Sequence, residues 1–318
     1  MIENPVRTTS RWVVARARDV LIDHSAVSRV ARFLRRKNIR IPVWSQSFHL
    51  TQASDTIKLR YIFVLDSLNF CFWSRGQKWS VPGPRNRLSG YMALAWQLKN
   101  FFKDNPNVDF RQLQTLSYRA FRSILGGSGE LHFLRERHRI LTRVSKYLVR
   151  HFDGDPSRLL RAGKRRAEKL VPLLAAIPSF DDTTKLAGRK VHFYKRAQIL
   201  VGDIWGAFGG RGIGRIDNIG YLTAFADYKI PQILRDLGIL RYSPKLAATV
   251  GRRDMIAQGS PWETEIRAST IVGVEELKDA LHREGASLPS LQLDWYLWIT
   301  SKSRKKMLPH NLTKTVYY

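Results

Sequence analysis

The stretch PQILRDLGILRYSPKLAATVG, residues 231–251, contains the local signals that decide the fold of this chain. It predicts a short helix that ends at Gly238, because glycine readily adopts the backbone conformation that follows a helix. Ser243 and Pro244 are a typical N-cap and first helical residue, and they open a second helix that ends at Gly251. The stretch therefore predicts two short helices joined by a brief connector.

Helical spacing of apolar residues continues through much of the remaining chain. Apolar residues recur every three or four positions in residues 13–21, 27–34, 91–102 and 140–148. We find no internal repeat and no low-complexity segment. The sequence predicts a mainly α, compact fold with few short strands, built as a single domain over residues 1–318.

The composition narrows the class of protein. Of 318 residues, 44% are hydrophobic, which allows a sizeable core and excludes a disordered tail. The single cysteine, Cys71, cannot form an internal disulfide and favours a reducing compartment, which we expect to be the cytoplasm. No apolar run approaches the ~18 residues that a membrane helix needs, so we expect no membrane partner.

The net charge of +28 favours anionic partners, either nucleic acid or phosphorylated small molecules. A basic stripe occupies one face of the predicted helix around residues 135–150. No aromatic residues are interleaved with the stripe, so a solvated face is favoured over a nucleic-acid track. The charge permits nucleic-acid binding without requiring it. The end of the chain, residues 302–318, is also basic, and we expect it to be mobile.

Several kinds of catalytic site lack support in the sequence. The eight histidines form no HExxH motif and no other grouping at metal-ligand spacing, so we expect no metal and no cofactor. A GxSxG elbow is absent, and Cys71 has no neighbouring histidine. Carboxylates in unusually apolar surroundings remain as candidates.

Asp66 is the only charged residue in YIFVLDSLNFCFW, residues 61–73. If this block is helical throughout, Asn69 and Trp73 share a face with Asp66. A carboxylate, an amide and an aromatic ring together suit the edge of a guanine-like base. A helix cap or a buried pairing with arginine explains Asp66 equally well.

Asp227 lies between two aromatic residues in LTAFADYKIP, residues 222–231. Because the residue before a proline is disfavoured in helical conformation, the chain must turn soon after Asp227. A carboxylate there can face a cavity, where it stabilises an oxocarbenium-like transition state or activates water. An N-cap for the helix beginning at Pro231 is the competing interpretation.

Two further candidates are weaker. Lys195 opens an amphipathic helix and could hold a phosphate, although such a lysine is more often an ordinary surface charge. Asp294 is embedded in the aromatic block LDWYLW, residues 293–298.

Six collinear blocks resemble the queuosine salvage protein family. The blocks are VLDSLNFCFW (64–73), HFYKRAQIL (192–200), GAFGGRGIG (206–214), TAFADYKIPQILRDLGILRYS (223–243), EIRAST (265–270) and LDWYLW (293–298). Members of the family are queuosine 5′-phosphate N-glycosidases, and their helical architecture is similar to that of helix-hairpin-helix DNA glycosylases. The resemblance implies hydrolysis of queuosine 5′-monophosphate to queuine and ribose 5-phosphate, a step in queuine salvage for tRNA modification.

The resemblance also implies roles for individual residues. Asp227 matches the catalytic carboxylate at the ribose, and Lys195 is expected to bind the 5′-phosphate. Asp66 and Asn69 match the part of the family pattern that we assign to the deazaguanine edge. Phe225 and Tyr228 are expected to form walls of the site. Asp294 is expected to make a second-layer contact or to contact the cyclopentenediol, and the suggestion that His49 reaches the pocket is weaker.

Two other functions remain open on the sequence. A base-excision glycosylase acting on DNA or RNA would account for the paired helices and the charge, but it needs a base-flipping wedge that the sequence does not reveal. A nucleic-acid-binding module would use the basic stripe and would bind oligonucleotides in a strongly salt-dependent manner.

Overall fold

The computed structural model describes residues 3–304 and 306–318. Within these residues it contains fourteen α-helices and six short strands, which confirms the predicted mainly α fold. The similarity to helix-hairpin-helix DNA glycosylases stays a prediction. In the described part of the chain, no helix combines the length and apolar character needed to cross a membrane.

Helices of very different lengths make up most of the regular structure, and the strands are all short. The helices are α1 (Pro5–Val14), α2 (His24–Arg36), α3 (Asp55–Ser67), α4 (Tyr91–Asp104), α5 (Phe110–Leu113), α6 (Tyr118–Leu125), α7 (Leu134–Phe152), α8 (Pro156–Ala162), α9 (Ala167–Ala175), α10 (Lys195–Ala207), α11 (Lys229–Asp236), α12 (Pro244–Gly251), α13 (Pro261–Arg283) and α14 (Ser290–Ser303). The strands are β1 (Val20–Ile22), β2 (Ser80–Val81), β3 (Leu88–Ser89), β4 (Thr183–Leu186), β5 (Arg189–His192) and β6 (Leu240–Tyr242).

The strands form three antiparallel pairs, β1 with β6, β2 with β3 and β4 with β5. In the first pair Val20 lies opposite Tyr242. This pairing joins the beginning of the chain to the connector between α11 and α12. It supports the expectation of one domain, which stays a prediction.

The two predicted short helices are present as α11 and α12, but α11 begins at Lys229, two residues before Pro231. The chain bends at Asp227 and Tyr228, as the prediction of a turn soon after Asp227 requires, but Ile230, the residue before the proline, is helical. Pro231 occupies the first turn of α11, where a backbone N–H has no partner within the helix, so its missing N–H costs no helical hydrogen bond. Ser243 caps α12 as expected, since its side chain accepts a hydrogen bond from the N–H of Leu246.

The basic stripe lies on α7, and all five of its basic residues are exposed, in agreement with a solvated face. They are Arg135, Arg139, Arg143, Lys146 and Arg150. One further arginine of this helix, Arg137, is fully buried. Its guanidinium donates hydrogen bonds to the backbone carbonyls of Leu68, Phe70 and Cys71, so it fastens α7 to the chain that follows α3.

Two helices run through the interior and carry much of the site. Residues 61–67 of α3 and residues 195–204 of α10 are all buried, and the two helices pack against each other. Helices that are buried around their whole circumference belong in the core of a larger fold. The site built on them therefore rests on rigid elements.

The last described segment, residues 306–318, packs onto the protein, in contrast to the mobility expected from its composition. Leu312 and Tyr318 are buried. Trp73 donates its indole N–H to the carbonyl of Thr313 at 3.1 Å, and Cys71 donates its backbone N–H to the carbonyl of Tyr318 at 2.8 Å. The buried residues within 311–315 hold this segment against the protein, although the residues that precede them are basic.

Candidate functional site

A cavity of about 170 Å³ lies where α10, α14 and the segment before α11 meet the chain that follows α3. It is lined by nearly all of the residues that the sequence singles out. These are Asn69, Lys195, Phe225, Asp227, Tyr228 and Asp294, together with His49. Asp66 is the exception, since it does not contribute to the lining.

The chain enters the cavity because α3 ends earlier than the apolar block predicts. The helix stops at Ser67, so Asn69 and Trp73 do not share a helical face with Asp66. The condition of a continuous helix is not met, because Arg137 binds the carbonyls of residues 68, 70 and 71 and holds the chain in a non-helical path. Cys71 adopts a positive φ of 46° along this path. Asn69 and Trp73 reach the cavity as a result.

Asp66 lies in the last turn of α3 with no solvent exposure. Its Oδ1 accepts a long hydrogen bond of 3.4 Å from the amide of Asn69. Its Oδ2 has no hydrogen-bond partner among the described residues. Burial, with Asp203 nearby, raises the pKa of Asp66 well above its usual value. This direction favours the protonated form of the carboxyl.

Asp203 is a cavity residue that our sequence analysis missed. Lys195, Ile199 and Asp203 are spaced four residues apart on α10 and line the cavity together. Burial raises the pKa of Asp203 to about 7, while the Trp44 indole, the Lys195 ammonium and the Tyr91 hydroxyl lower it. The available signal was that Asp203 is the only acid in a largely apolar helix.

Asp227 both caps a helix and lines the cavity, while its catalytic role stays a prediction. Its Oδ1 accepts the backbone N–H groups of Lys229 at 2.6 Å and Ile230 at 3.0 Å, so it caps the beginning of α11. The side chain also lines the cavity. Both of these hydrogen bonds end on Oδ1 and leave Oδ2 out of the cap.

Lys195 is the common neighbour of the acids around the cavity. Its ammonium donates a hydrogen bond of 3.0 Å to the carbonyl of Asn69. Burial lowers the pKa of Lys195 to about 8, while Asp227, Asp66 and Asp294 raise it. Lys195 thus stays mainly charged at neutral pH and faces carboxylates. These surroundings differ from the phosphate-binding role expected from the resemblance.

Asp294 anchors the wall of the cavity. Its Oδ1 accepts the backbone N–H of Phe225 at 2.8 Å, which fixes the segment that leads to Asp227. Burial raises the pKa of Asp294 well above its usual value, and the nearby Asp227 raises this pKa further.

Three lysines at the cavity, Lys78, Lys229 and Lys302, were not predicted. Loss of hydration lowers the pKa of Lys302 to about 8, and Lys229 and Lys78 lower it further, whereas Asp227 raises it. The same two lysines lower the pKa of His310, which burial brings to about 3. These long-range effects place the lysines at the same end of the cavity as Asp227. Nothing local in the sequence distinguishes them from the other basic residues.

Aromatic rings form the remaining walls. Trp44 stacks on His49 with ring centroids 4.0 Å apart and planes inclined by 11°. Burial lowers the pKa of His49 to about 4, so the ring is neutral at pH 7. Its Nδ1 lies 2.6 Å from the carbonyl of Trp44 and must donate, so its Nε2 accepts from the hydroxyl of Tyr91 at 2.9 Å. This network holds one aromatic wall in place.

The cavity combines three chemical environments that suit different parts of a nucleotide. Lysines at one end suit a phosphate, a fixed carboxylate beside them suits a sugar that develops positive charge, and aromatic walls suit a heterocyclic base.

Comparison with known proteins finds relatives whose name refers to a nucleotide substrate. The family model described as queuosine salvage protein matches residues 48–318. A relative from Sphaerobacter thermophilus, named queuosine 5′-phosphate N-glycosylase/hydrolase, is 42% identical over 98% of this chain and 97% of its own. Relatives of the same name from Mus musculus and Schizosaccharomyces pombe are 33% and 28% identical, the first over 98% of both chains and the second over 92% of this chain and 90% of its own. The chain belongs to the queuosine salvage protein family.

Proposed function

We propose that this protein hydrolyses the N-glycosidic bond of queuosine 5′-phosphate and releases queuine and ribose 5-phosphate. The names of its relatives support this activity. The observation that carries the proposal is the position of Asp227 in one cavity, next to a group of lysines and close to aromatic walls. The single buried cysteine is compatible with a cytoplasmic location.

Asp227 is the group that we assign to the ribose. A 7-deazapurine has no N7, so protonation at that position cannot assist departure of the base. Catalysis must then stabilise positive charge at the sugar. Two backbone N–H groups hold the carboxylate of Asp227 in one orientation, so it needs no reorganisation as the charge develops. The same carboxylate is placed to orient the attacking water.

We assign Lys195 the role of a positive charge among the acidic residues rather than that of a phosphate ligand. Its ammonium is committed to the carbonyl of Asn69 and has Asp227, Asp66 and Asp294 as its acidic neighbours. A positive charge in that position favours the ionised form of a catalytic carboxylate.

The 5′-phosphate is assigned to Lys78, Lys229 and Lys302. Loss of hydration and then repulsion from Lys229 and Lys78 lower the pKa of Lys302, and a phosphate close to these lysines would offset both effects. Lys229 directly follows the capped turn of Asp227, so phosphate and ribose would lie next to each other as they do in a nucleotide.

The base is assigned to the aromatic end. Phe225 and Tyr228 form walls beside Asp227, Asn69 offers an amide, and Asp294 supports the wall through the backbone of Phe225. Among the described residues, α7 contributes nothing to the lining. Its basic stripe is therefore not needed for this activity, and nucleic-acid binding is not part of the proposal.

The test is release of queuine from queuosine 5′-phosphate, measured by chromatography with purified protein. Asp227→Asn should lower kcat by about 10²–10³-fold, the effect expected when a preorganised electrostatic contact is removed. Asp254→Asn is the matched control, because Asp254 is half exposed and pairs with Arg252 on the surface.

Circular dichroism and thermal melting should show that both variants remain folded. No release of queuine by the wild-type protein would refute the activity. Full activity in folded Asp227→Asn would refute the role of that residue only.

A further inference from the structure

Asp203 lines the cavity on the same face of α10 as Lys195. It is eight residues beyond Lys195, a separation of about 12 Å along the helix axis. Asp227 is an acidic neighbour of Lys195, whereas the Trp44 indole and the Tyr91 hydroxyl are neighbours of Asp203.

Two donors lie beside Asp203. The indole N–H of Trp44 and the hydroxyl of Tyr91 are directed at its carboxyl and lower its pKa. They orient a carboxyl that lines the cavity. A carboxylate acceptor in a cavity matches the edge of a guanine-like base, which presents N1–H and 2-amino donors. A guest that supplies these donors would gain binding energy from charge-assisted hydrogen bonds.

Asp66 lies behind Asp203 and outside the cavity lining. Two neighbouring carboxyls in a buried site do not both ionise readily, and the more buried one retains its proton. Asp66 is the more completely buried of the two, with 0% exposure against 4% for Asp203. Asp203 is therefore the member of the pair that can present a carboxylate to a guest.

We propose that Asp203 binds the 2-amino and N1–H edge of the deazaguanine base, with the Trp44 indole orienting its carboxyl and Asp66 nearby as a support that does not touch the guest. This inference rests on the proposed function and names the residue that selects the base. It moves the guanine-recognition role, which the sequence suggested for Asp66, to an acid two helical turns beyond Lys195.

The experiment measures binding of free bases by isothermal titration calorimetry. The bases are 7-deazaguanine and 7-deazahypoxanthine, which lacks the 2-amino group, and queuine, which adds a cationic arm. The variants are Asp203→Asn and, as the matched control, Asp66→Asn. Wild-type protein should prefer 7-deazaguanine over 7-deazahypoxanthine by about 10- to 100-fold, because a charge-assisted contact is lost with the amino group.

Asp203→Asn should reduce this preference to less than about 3-fold, whereas Asp66→Asn should retain most of it. Asp203→Ser is the second variant, which keeps the test valid if the asparagine protein does not fold. Thermal melting checks the fold of each protein.

Three results would overturn the proposal. The first is a preference that persists in Asp203→Asn. The second is a variant that weakens queuine but not 7-deazaguanine, since Asp203 would then meet the cationic arm. The third is a wild-type protein with equal or no affinity for the two simple bases. Failure to hydrolyse queuosine 5′-phosphate, with the base preference intact, would refute the proposed activity and leave the base contact standing.

Discussion

The ammonium of Lys195 donates a hydrogen bond of 3.0 Å to the backbone carbonyl of Asn69. This contact fastens the first turn of α10 to the chain that leaves α3, and it places one buried positive charge among the acids of the cavity. The lysine that sequence similarity assigns to the phosphate is therefore already engaged within the protein.

Lys195→Gln should lower kcat by about 10²-fold for queuosine 5′-phosphate and equally for its dephosphorylated nucleoside, because the acids lose their common counter-charge. KM should change little. Lys99→Gln is the control, since Lys99 also donates to a backbone carbonyl, that of Ser47 at 2.7 Å, but outside the cavity. Steady-state kinetics with both substrates measures these effects. A rise in KM for the nucleotide alone, with kcat unchanged, would show that Lys195 binds the phosphate.

Lys229→Met and Lys302→Met should each raise KM for the nucleotide by roughly 10-fold, as expected when a charge-assisted phosphate contact is removed. Kinetics with the nucleoside should be unchanged. Lys146→Met, on the exposed face of α7, should alter neither substrate's kinetics. Equal losses for nucleotide and nucleoside would show that these lysines do not contact the phosphate.

Local signals in the sequence account for the parts of the fold that were predicted correctly and for two of the acids that the structure places in the cavity. Proline, serine and glycine mark the boundaries of α12, and isolated acids in apolar blocks mark Asp227 and Asp294. These signals act within a few residues, so a sequence displays them directly.

Long-range contacts account for what was missed. The helix around Asp66 stops where Arg137, 69 residues from Leu68, binds the backbone, and no local pattern announces that contact. Lys78 and Lys302 meet at the cavity from distant parts of a chain that holds 54 lysines and arginines. Asp203 was overlooked because its surroundings come from Trp44 and Tyr91, which only the fold brings to it.

Asp203→Asn should stabilise the protein at high pH. The pKa of Asp203 is raised from about 3.8 to about 7 in the folded state, so the folded state binds the extra proton between these values and its stability falls as pH rises through this window. Burial favours the proton, while Trp44, Lys195 and Tyr91 oppose it.

The asparagine variant lacks this titration. Its melting temperature should exceed that of the wild-type protein by at least about 2 °C at pH 8, and the difference should shrink towards pH 4. Melting curves across this range, recorded by circular dichroism, provide the measurement. A difference that grows as pH falls would contradict the assignment of the raised pKa.

Arg267→Met should lower the free energy of unfolding by about 3–5 kcal/mol, because it leaves a buried charge unpaired. Arg267 and Asp182 are each 3% exposed in their side chains and form hydrogen bonds of 2.9 and 2.6 Å. Asp182 also accepts the backbone N–H of Lys195, so the pair supports the beginning of α10.

Urea denaturation measures the effect. Arg252→Met is the control, since it breaks a 2.9 Å pair with the half-exposed Asp254 and should cost less than about 1 kcal/mol. Similar losses in the two variants would mean that burial of the Arg267 pair has no special consequence.

Gly206→Ala should weaken substrate binding at only a small cost in stability. A Cβ at Gly206 would lie 2.6 Å from Cη2 of Trp295 and 3.0 Å from Cβ of Trp44, so the two indoles that line the cavity must move. Alanine in a helix interior gains about 1 kcal/mol over glycine, which offsets part of the strain. KM should rise roughly 10-fold, a loss of the size that a misplaced pocket wall produces.

Gly251→Ala gains the same helical preference in α12, where nothing lies within 4 Å, and should leave KM unchanged. Kinetics and urea denaturation of both variants separate the two effects, and an unchanged KM in Gly206→Ala would show that the base does not occupy the space between these indoles.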